Sequence, residues 1–133
     1  MKRARDWKIH PDANTIRWLL QHISTVLNVY IPRVTGENLD YKPTGWKDDK
    51  NLVTLKILLA EIRHGKTLVK KELDDLTQDK LNDEIDWYIG KASRKDYLVL
   101  LVSEVLHHEG QVAALIGLKE RIEGNKPRVQ PPE

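Results

Sequence analysis

Apolar residues recur along this chain at three- and four-residue intervals in three separate stretches, the pattern of helices that bury one face. The first runs from about residue 14 to 30, with Ile16, Leu19, Leu20, Ile23, Val26, Leu27 and Tyr30 on one side. Pro11, Asp12 and Asn14 supply its start and Pro32 its stop. The second runs from about 52 to 76, striped by Leu55, Leu58, Leu59, Ile62, Val69, Leu73 and Leu76. Gly65 lies inside it, at a cost of about 1 kcal/mol relative to alanine. The third runs from about 95 to 122, opened by the capping pattern of Ser93 and Asp96 and closed by Gly124. Its apolar face is Leu98, Leu101, Val102, Val105, Val112, Leu115 and Ile116.

The connections differ in character. Residues 33–51 hold Gly36, Pro43 and Gly45 and read as a long crossover loop, with Trp46 as a packing plug. Residues 80–92 alternate at Ile85, Trp87 and Ile89, which predicts a brief extended stretch. Residues 1–13 and 125–133 are expected to be tails, the second rich in proline. That leaves residues 14–124 as an all-α bundle of three long helices. The lengths match poorly, about 25 Å for the first helix and about 40 Å for the longer ones. A second copy of the chain is the simplest cover for the exposed remainder, so a homodimer is expected.

Composition narrows the function. A chain of 133 residues, 40% hydrophobic and 32% charged, suits one soluble core. No continuous apolar run approaches the ~20 residues of a membrane span, and no signal peptide pattern opens the chain. The expectation is a cytoplasmic protein with no membrane partner. The absence of cysteine excludes disulfides, iron–sulfur clusters and thiol nucleophiles. Any metal must be held by nitrogen and oxygen, from five histidines and twenty carboxylates. Net charge is only +2, too little for a nucleic-acid footprint. Residues 2–8 are basic (Lys2, Arg3, Arg5 and Lys8 against Asp6) and read as a solvated tail rather than a nucleic-acid contact.

Two histidines and a carboxylate stand out. At about 100° per residue, His108 falls on the margin of the third helix's apolar face, with Glu104 one turn earlier and His107 directed off the core. Side chains four apart can converge on one ion. Taken alone, Glu104 and His108 form an ordinary helix-face pair worth ~0.3–0.5 kcal/mol. His22 lies on the boundary of the first helix's stripe, on the flank of Trp18, within reach of that pair if the two helices pack together. Two imidazoles and a carboxylate are a familiar three-ligand set that leaves positions open. Taken alone, His22 is equally a partly buried, hydrogen-bonded histidine. His64 lies roughly 120–140° from its helix's stripe and is expected to be solvated. His10 precedes Pro11 in a loop. No glycine-rich phosphate loop or Ser/His/Asp arrangement is present.

At these residues the sequence resembles a known family. Asn14-Thr15-Ile16-Arg17-Trp18-Leu19-Leu20-Gln21-His22 is similar to the "S-I-x-W-L-L-x-H" helix of the DinB/YfiT-like superfamily of metalloenzymes. Val105-Leu106-His107-His108-Glu109-Gly110-Gln111-Val112 is similar to its "H-x-x-H-H-R-G-Q" helix, and residues 85–97 also fit. The resemblance implies His22 as first metal ligand and His108 as last. The family's middle ligand is a histidine four positions before the last, and here that position is Glu104. A His22, Glu104, His108 site is harder and more negative than a three-histidine one, favouring zinc, nickel, manganese or iron over soft ions. The resemblance also implies a four-helix bundle whose first helix precedes the one ending at His22. Only 13 residues precede Asn14, so that helix is expected to be short or absent, its groove filled by a dimer partner. The implied activity is metal-dependent hydrolysis or thiol S-transfer on a small molecule, with Glu109 or His107 beside the site as possible bases. The competing expectation is a non-catalytic dimeric bundle with a degenerate or structural metal site.

Overall fold

The computed structural model describes residues 6–11, 13–36 and 54–124. Residues 2–5 of the basic start, most of the crossover loop with Trp46, and the tail 125–133 lie outside the described residues. In chain order the elements are α1 (Ile16–Thr25), a π-helical segment (Val26–Tyr30), α2 (Ile31–Thr35), α3 (Leu55–Asp75), α4 (Gln78–Asn82), β1 (Glu84–Trp87), β2 (Gly90–Ser93) and α5 (Arg94–Ile122). The fold is the expected all-α bundle of three long helical runs, with a small hairpin added.

Hydroxyl side chains open the long helices. Thr15 accepts a hydrogen bond from the Trp18 amide at 3.0 Å, Thr54 from that of Ile57 at 3.2 Å, and Ser93 from that of Asp96 at 3.1 Å. The first helix therefore starts at Thr15, later than Pro11 to Asn14 suggested. Its end differs more: Pro32 does not stop it. The Ile31 N–H bonds to the Val26 carbonyl, five residues back, so the turn there is one residue wider than an α turn. Pro32 then falls in the first turn of α2, where a missing N–H and a fixed φ are tolerated. The helix ends instead at Gly36, whose φ of 96° is the left-handed cap.

Asn28, in the π segment and buried, ties this helix to α3. Its amide donates to the Ser24 carbonyl at 3.1 Å and to the Glu61 carbonyl at 2.9 Å. Its amide oxygen accepts from Nδ1 of His64 at 2.8 Å, so His64 is exposed but held, not simply solvated. Gly65 is where α3 approaches closest. A Cβ there would stand 2.6 Å from Cβ of Leu27 and 2.8 Å from Nδ2 of Asn28. The stripe expected on α3 is rotated accordingly. Leu58, Ile62 and Val69 are buried, but so are Glu61 and Glu72, while Leu55, Leu59 and Leu73 are exposed. Ser24 donates to Glu61 and Thr35 to Glu72, which gives each buried carboxylate a hydroxyl partner.

The first helical run lies between α3 and α5 and packs on both. On α5, Tyr97, Leu98, Leu101 and Val105 are buried, Val112 and Leu115 are partly buried against the core, and Val102 and Ile116 are exposed. By length and composition α5 is apolar enough to cross a membrane. Glu104, His107, His108 and Glu109 in its middle, and the packing of its first half on α1, fit a bundle helix. Between α3 and α5 an apolar groove of about 330 Å³ runs over Leu27 and Ile31, bridged at one lip by Lys66 and Glu109, 2.7 Å apart.

The extended stretch predicted near Ile85 is a two-stranded antiparallel hairpin, registered Glu84 to Ser93 and Trp87 to Gly90. Ile85 and Trp87 are partly buried, whereas Ile89 sits in the turn and is exposed. Arg94 fastens the hairpin to the bundle. It donates to the Val34 carbonyl at 2.8 Å and the Lys80 carbonyl at 2.6 Å, and it pairs with Asp83 at 3.0 Å. The buried Tyr97 hydroxyl donates to the Gly90 carbonyl and holds the second strand down on α5.

Candidate functional site

The packing of α1 on α5 brings His22, Glu104 and His108 together. Nε2 of His22 lies 3.7 Å from Oε2 of Glu104. The rings of His22 and His108 meet edge to face, with centroids 4.8 Å apart. Trp18, one turn before His22, stacks flat on its ring at 5.2 Å and also meets the edge of His108. His107 touches His108 but faces solvent, as its direction on the helix predicts.

Hydrogen bonding and burial set the protonation of these rings. Nδ1 of His108 lies 2.6 Å from Oε1 of Gln111. An amide oxygen only accepts, so Nδ1 carries the hydrogen and Nε2 of the neutral ring keeps a lone pair. Such a second-sphere bond is what orients a metal-binding imidazole. Burial holds the His22 imidazole below its usual 6.5; His108 adds to the depression and Glu104 opposes it. His22 is therefore neutral at pH 7 and has a nitrogen to offer.

The three side chains are neighbours rather than a closed set. Among the described residues no three His, Asp or Glu groups stand together as a formed metal site. The nitrogen of His22 faces the Glu104 carboxylate directly, and the two rings are perpendicular. As a donor set, two neutral imidazoles and one carboxylate fit a divalent ion of borderline hardness. Glu109 is not available as a base, because its carboxylate is paired with Lys66 across the α3–α5 groove.

His22 and Glu104 also form one end of a cavity of about 460 Å³ between the first helical run, α5 and the hairpin. Its wall is aromatic. Trp87 meets Tyr30 at 5.5 Å and Tyr97 at 5.7 Å, and Arg33 lines the cavity as well. This wall, the stacking of Trp18 and the tether from Gln111 are what sequence reasoning missed. Trp18 and Gln111 each carried a local signal, lying four residues before His22 and three after His108. The aromatic wall had none, since Tyr30, Trp87 and Tyr97 come from separate elements.

Among curated proteins none matches the chain. The sequence profile of the DinB superfamily, however, aligns with residues 2–112, a stretch that contains the Trp18–His22 turn, the hairpin and the Glu104–His108 turn, and the chain belongs to that superfamily.

Proposed function

We propose that this DinB superfamily protein binds a divalent metal ion, with His22, Glu104 and His108 as ligands, and acts on a small molecule by metal-dependent hydrolysis or thiol transfer. The observation that supports this most is the meeting of those three side chains from opposite ends of the described chain. Trp18 fixes the plane of His22 and shields one of its faces from water. Gln111 fixes the tautomer of His108. Glu104 supplies the negative charge that offsets part of a dication's. A divalent ion bound there supplies Lewis-acid activation of water or of a thiol. Zinc, nickel, manganese and iron all suit this nitrogen–oxygen set.

The test is metal analysis of protein purified without a histidine tag, by inductively coupled plasma mass spectrometry. Wild type is expected to carry, or to take up from buffer, about one ion per chain, and the His22→Ala, His108→Ala double variant none. At an ion concentration about 100 times Kd, stabilisation of wild type is about 2.7 kcal/mol, seen as a raised melting temperature. Glu104→Ala should lose most of that rise. Equal metal content in wild type and double variant refutes the site. A wild type that neither contains nor gains metal favours the non-catalytic bundle.

The proposal includes a homodimer. Leu106 on the lip of the α3–α5 groove is 63% exposed, and Leu73 and Val102 beside it are also exposed. A second copy over this groove buries apolar surface that one chain leaves in water. Light scattering should give twice the 15.4 kDa chain mass, returning to one chain in Leu106→Glu. A monomeric wild type at micromolar concentration overturns it.

A further inference from the structure

We infer that the aromatic cavity binds a small molecule with a flat apolar body and a carboxylate at one end, the carboxylate meeting Arg33 and the uncharged end reaching His22 and Glu104. The volume, about 460 Å³, falls in the range of small-molecule sites. The faces of Trp87, Tyr30 and Tyr97 set the chemistry of the body. The Tyr97 hydroxyl is already committed to the Gly90 carbonyl, so this ring offers the cavity apolar surface.

Charge sets the direction of the ligand. The cavity wall has one guanidinium, Arg33, and one carboxylate, Glu104. Arg17 and Arg94 have ion-pair partners, whereas no carboxylate among the described residues pairs with Arg33. A guanidinium matches a carboxylate in a two-point hydrogen-bonded fork. A dianionic phosphate would ask for more positive charge than one arginine, and the cavity wall holds no lysine. At the other end Glu104 repels an anion, so the group placed there is neutral. His22 and Arg33 lie on one continuous helical run, separated by about 15 Å along its axis. After the length of the arginine side chain, that distance leaves room for a body the size of a phenylpropyl group. Calling this ligand a substrate rests on the metal reading above; its binding does not.

The probes are 3-phenylpropionate, its amide, and butyrate, titrated into chelator-treated protein at about pH 7.5. Binding is measured by calorimetry and by the NMR shift of the Trp87 indole N–H. The expected result is saturable binding of 3-phenylpropionate with a shift at Trp87. The amide and butyrate should bind roughly tenfold more weakly, the first lacking the charge and the second the ring. Arg33→Gln should bring 3-phenylpropionate down to the level of the amide, while Arg63→Gln, on the exposed side of α3, changes nothing. Equal binding of acid and amide, or an Arg33→Gln variant that binds like wild type, overturns the arginine anchor. No response at Trp87 to any probe overturns the cavity as a binding site. Because the protein is metal-free throughout, the two readings fail separately. Metal uptake without probe binding refutes this inference alone, and probe binding without metal uptake refutes the metal centre alone.

Discussion

Gly65→Ala sets two known effects against each other, and the geometry decides between them. In a free helix the change stabilises, because alanine exceeds glycine in helix propensity by about 0.8–1.0 kcal/mol. Here the new Cβ would lie 2.6 Å from Cβ of Leu27 and 2.8 Å from Nδ2 of Asn28. Carbon atoms in contact sit about 3.5–4.0 Å apart, so α3 must retreat from the π segment by about 1 Å. Neither neighbour can swing clear, since Leu27 is 4% exposed and Asn28 1%. Retreat also stretches the 2.9 Å bond from Asn28 to the Glu61 carbonyl. Overpacking of this kind costs about 1–3 kcal/mol, and a buried hydrogen bond lost adds about 1 kcal/mol. The net expectation is about 2 kcal/mol of destabilisation, or a melting temperature lower by about 8 °C for a chain of this size. Gly110→Ala is the matched control, because a Cβ on that helical glycine meets nothing within 4 Å. It should gain up to about 1 kcal/mol. Urea denaturation followed by circular dichroism measures both. If Gly65→Ala equals or exceeds wild type in stability, α3 does not approach the π segment as described. If Gly110→Ala loses as much as Gly65→Ala, the loss has a cause other than packing.

Other expectations follow from the polar junctions and from His22. Asn28→Ala removes three side-chain bonds at a buried position and should cost about 2–3 kcal/mol in urea titrations; a cost near zero would mean the π segment needs no such tie. Arg94→Ala cuts the hairpin from the ends of α2 and α4, so a loss of about 2 kcal/mol is expected, together with faster amide exchange in β1 and β2. Unchanged exchange there would show that Tyr97 alone holds the hairpin. His22 is depressed below 6.5 in the folded protein, so its neutral form is the one folding favours. In metal-free protein that contribution is whole above about pH 6.5 and declines as the pH falls below it, because the unfolded chain takes the proton first. His22→Gln should flatten the decline of melting temperature between about pH 6.5 and 5. Parallel profiles for variant and wild type would show that the folded and unfolded pKa values do not differ.

The apolar period located each long helix because each buries a single stripe, and that much is local. It misjudged which side of α3 is innermost. Leu55, Leu59 and Leu73 were counted with Leu58, Ile62 and Val69, although the first three are exposed and Glu61 and Glu72 lie inside. The apolar residues of α3 straddle two surfaces, one against the first helix and one on the open groove. A count of hydrophobic positions averages the two. What fixes the inner face is the close approach at Gly65, and glycine contributes nothing to such a count. Two buried glutamates are tolerated only because Ser24 and Thr35 on the facing helix reach them, a pairing across 37 positions of sequence that no local window contains.

The candidate ligands were legible for a related reason. His22, Glu104 and His108 sit at the margins of buried faces, and a margin can be read from direction around a helix axis alone. The cavity beside them was hidden by one misread residue. With Pro32 taken as the end of the helix, Arg33 belongs to a loop and has no fixed relation to His22. The π segment, whose Ile31 N–H bond reaches five residues back, carries the helix past the proline and puts Arg33 on the same rigid run as His22. Without the extra residue in that turn, everything after it would be rotated by about 100°, and Arg33 would point away from its present line. A local departure from α geometry thus does two things that sequence periodicity does not register. It lets a buried proline continue a helix, and it aligns a cation with the site three turns away.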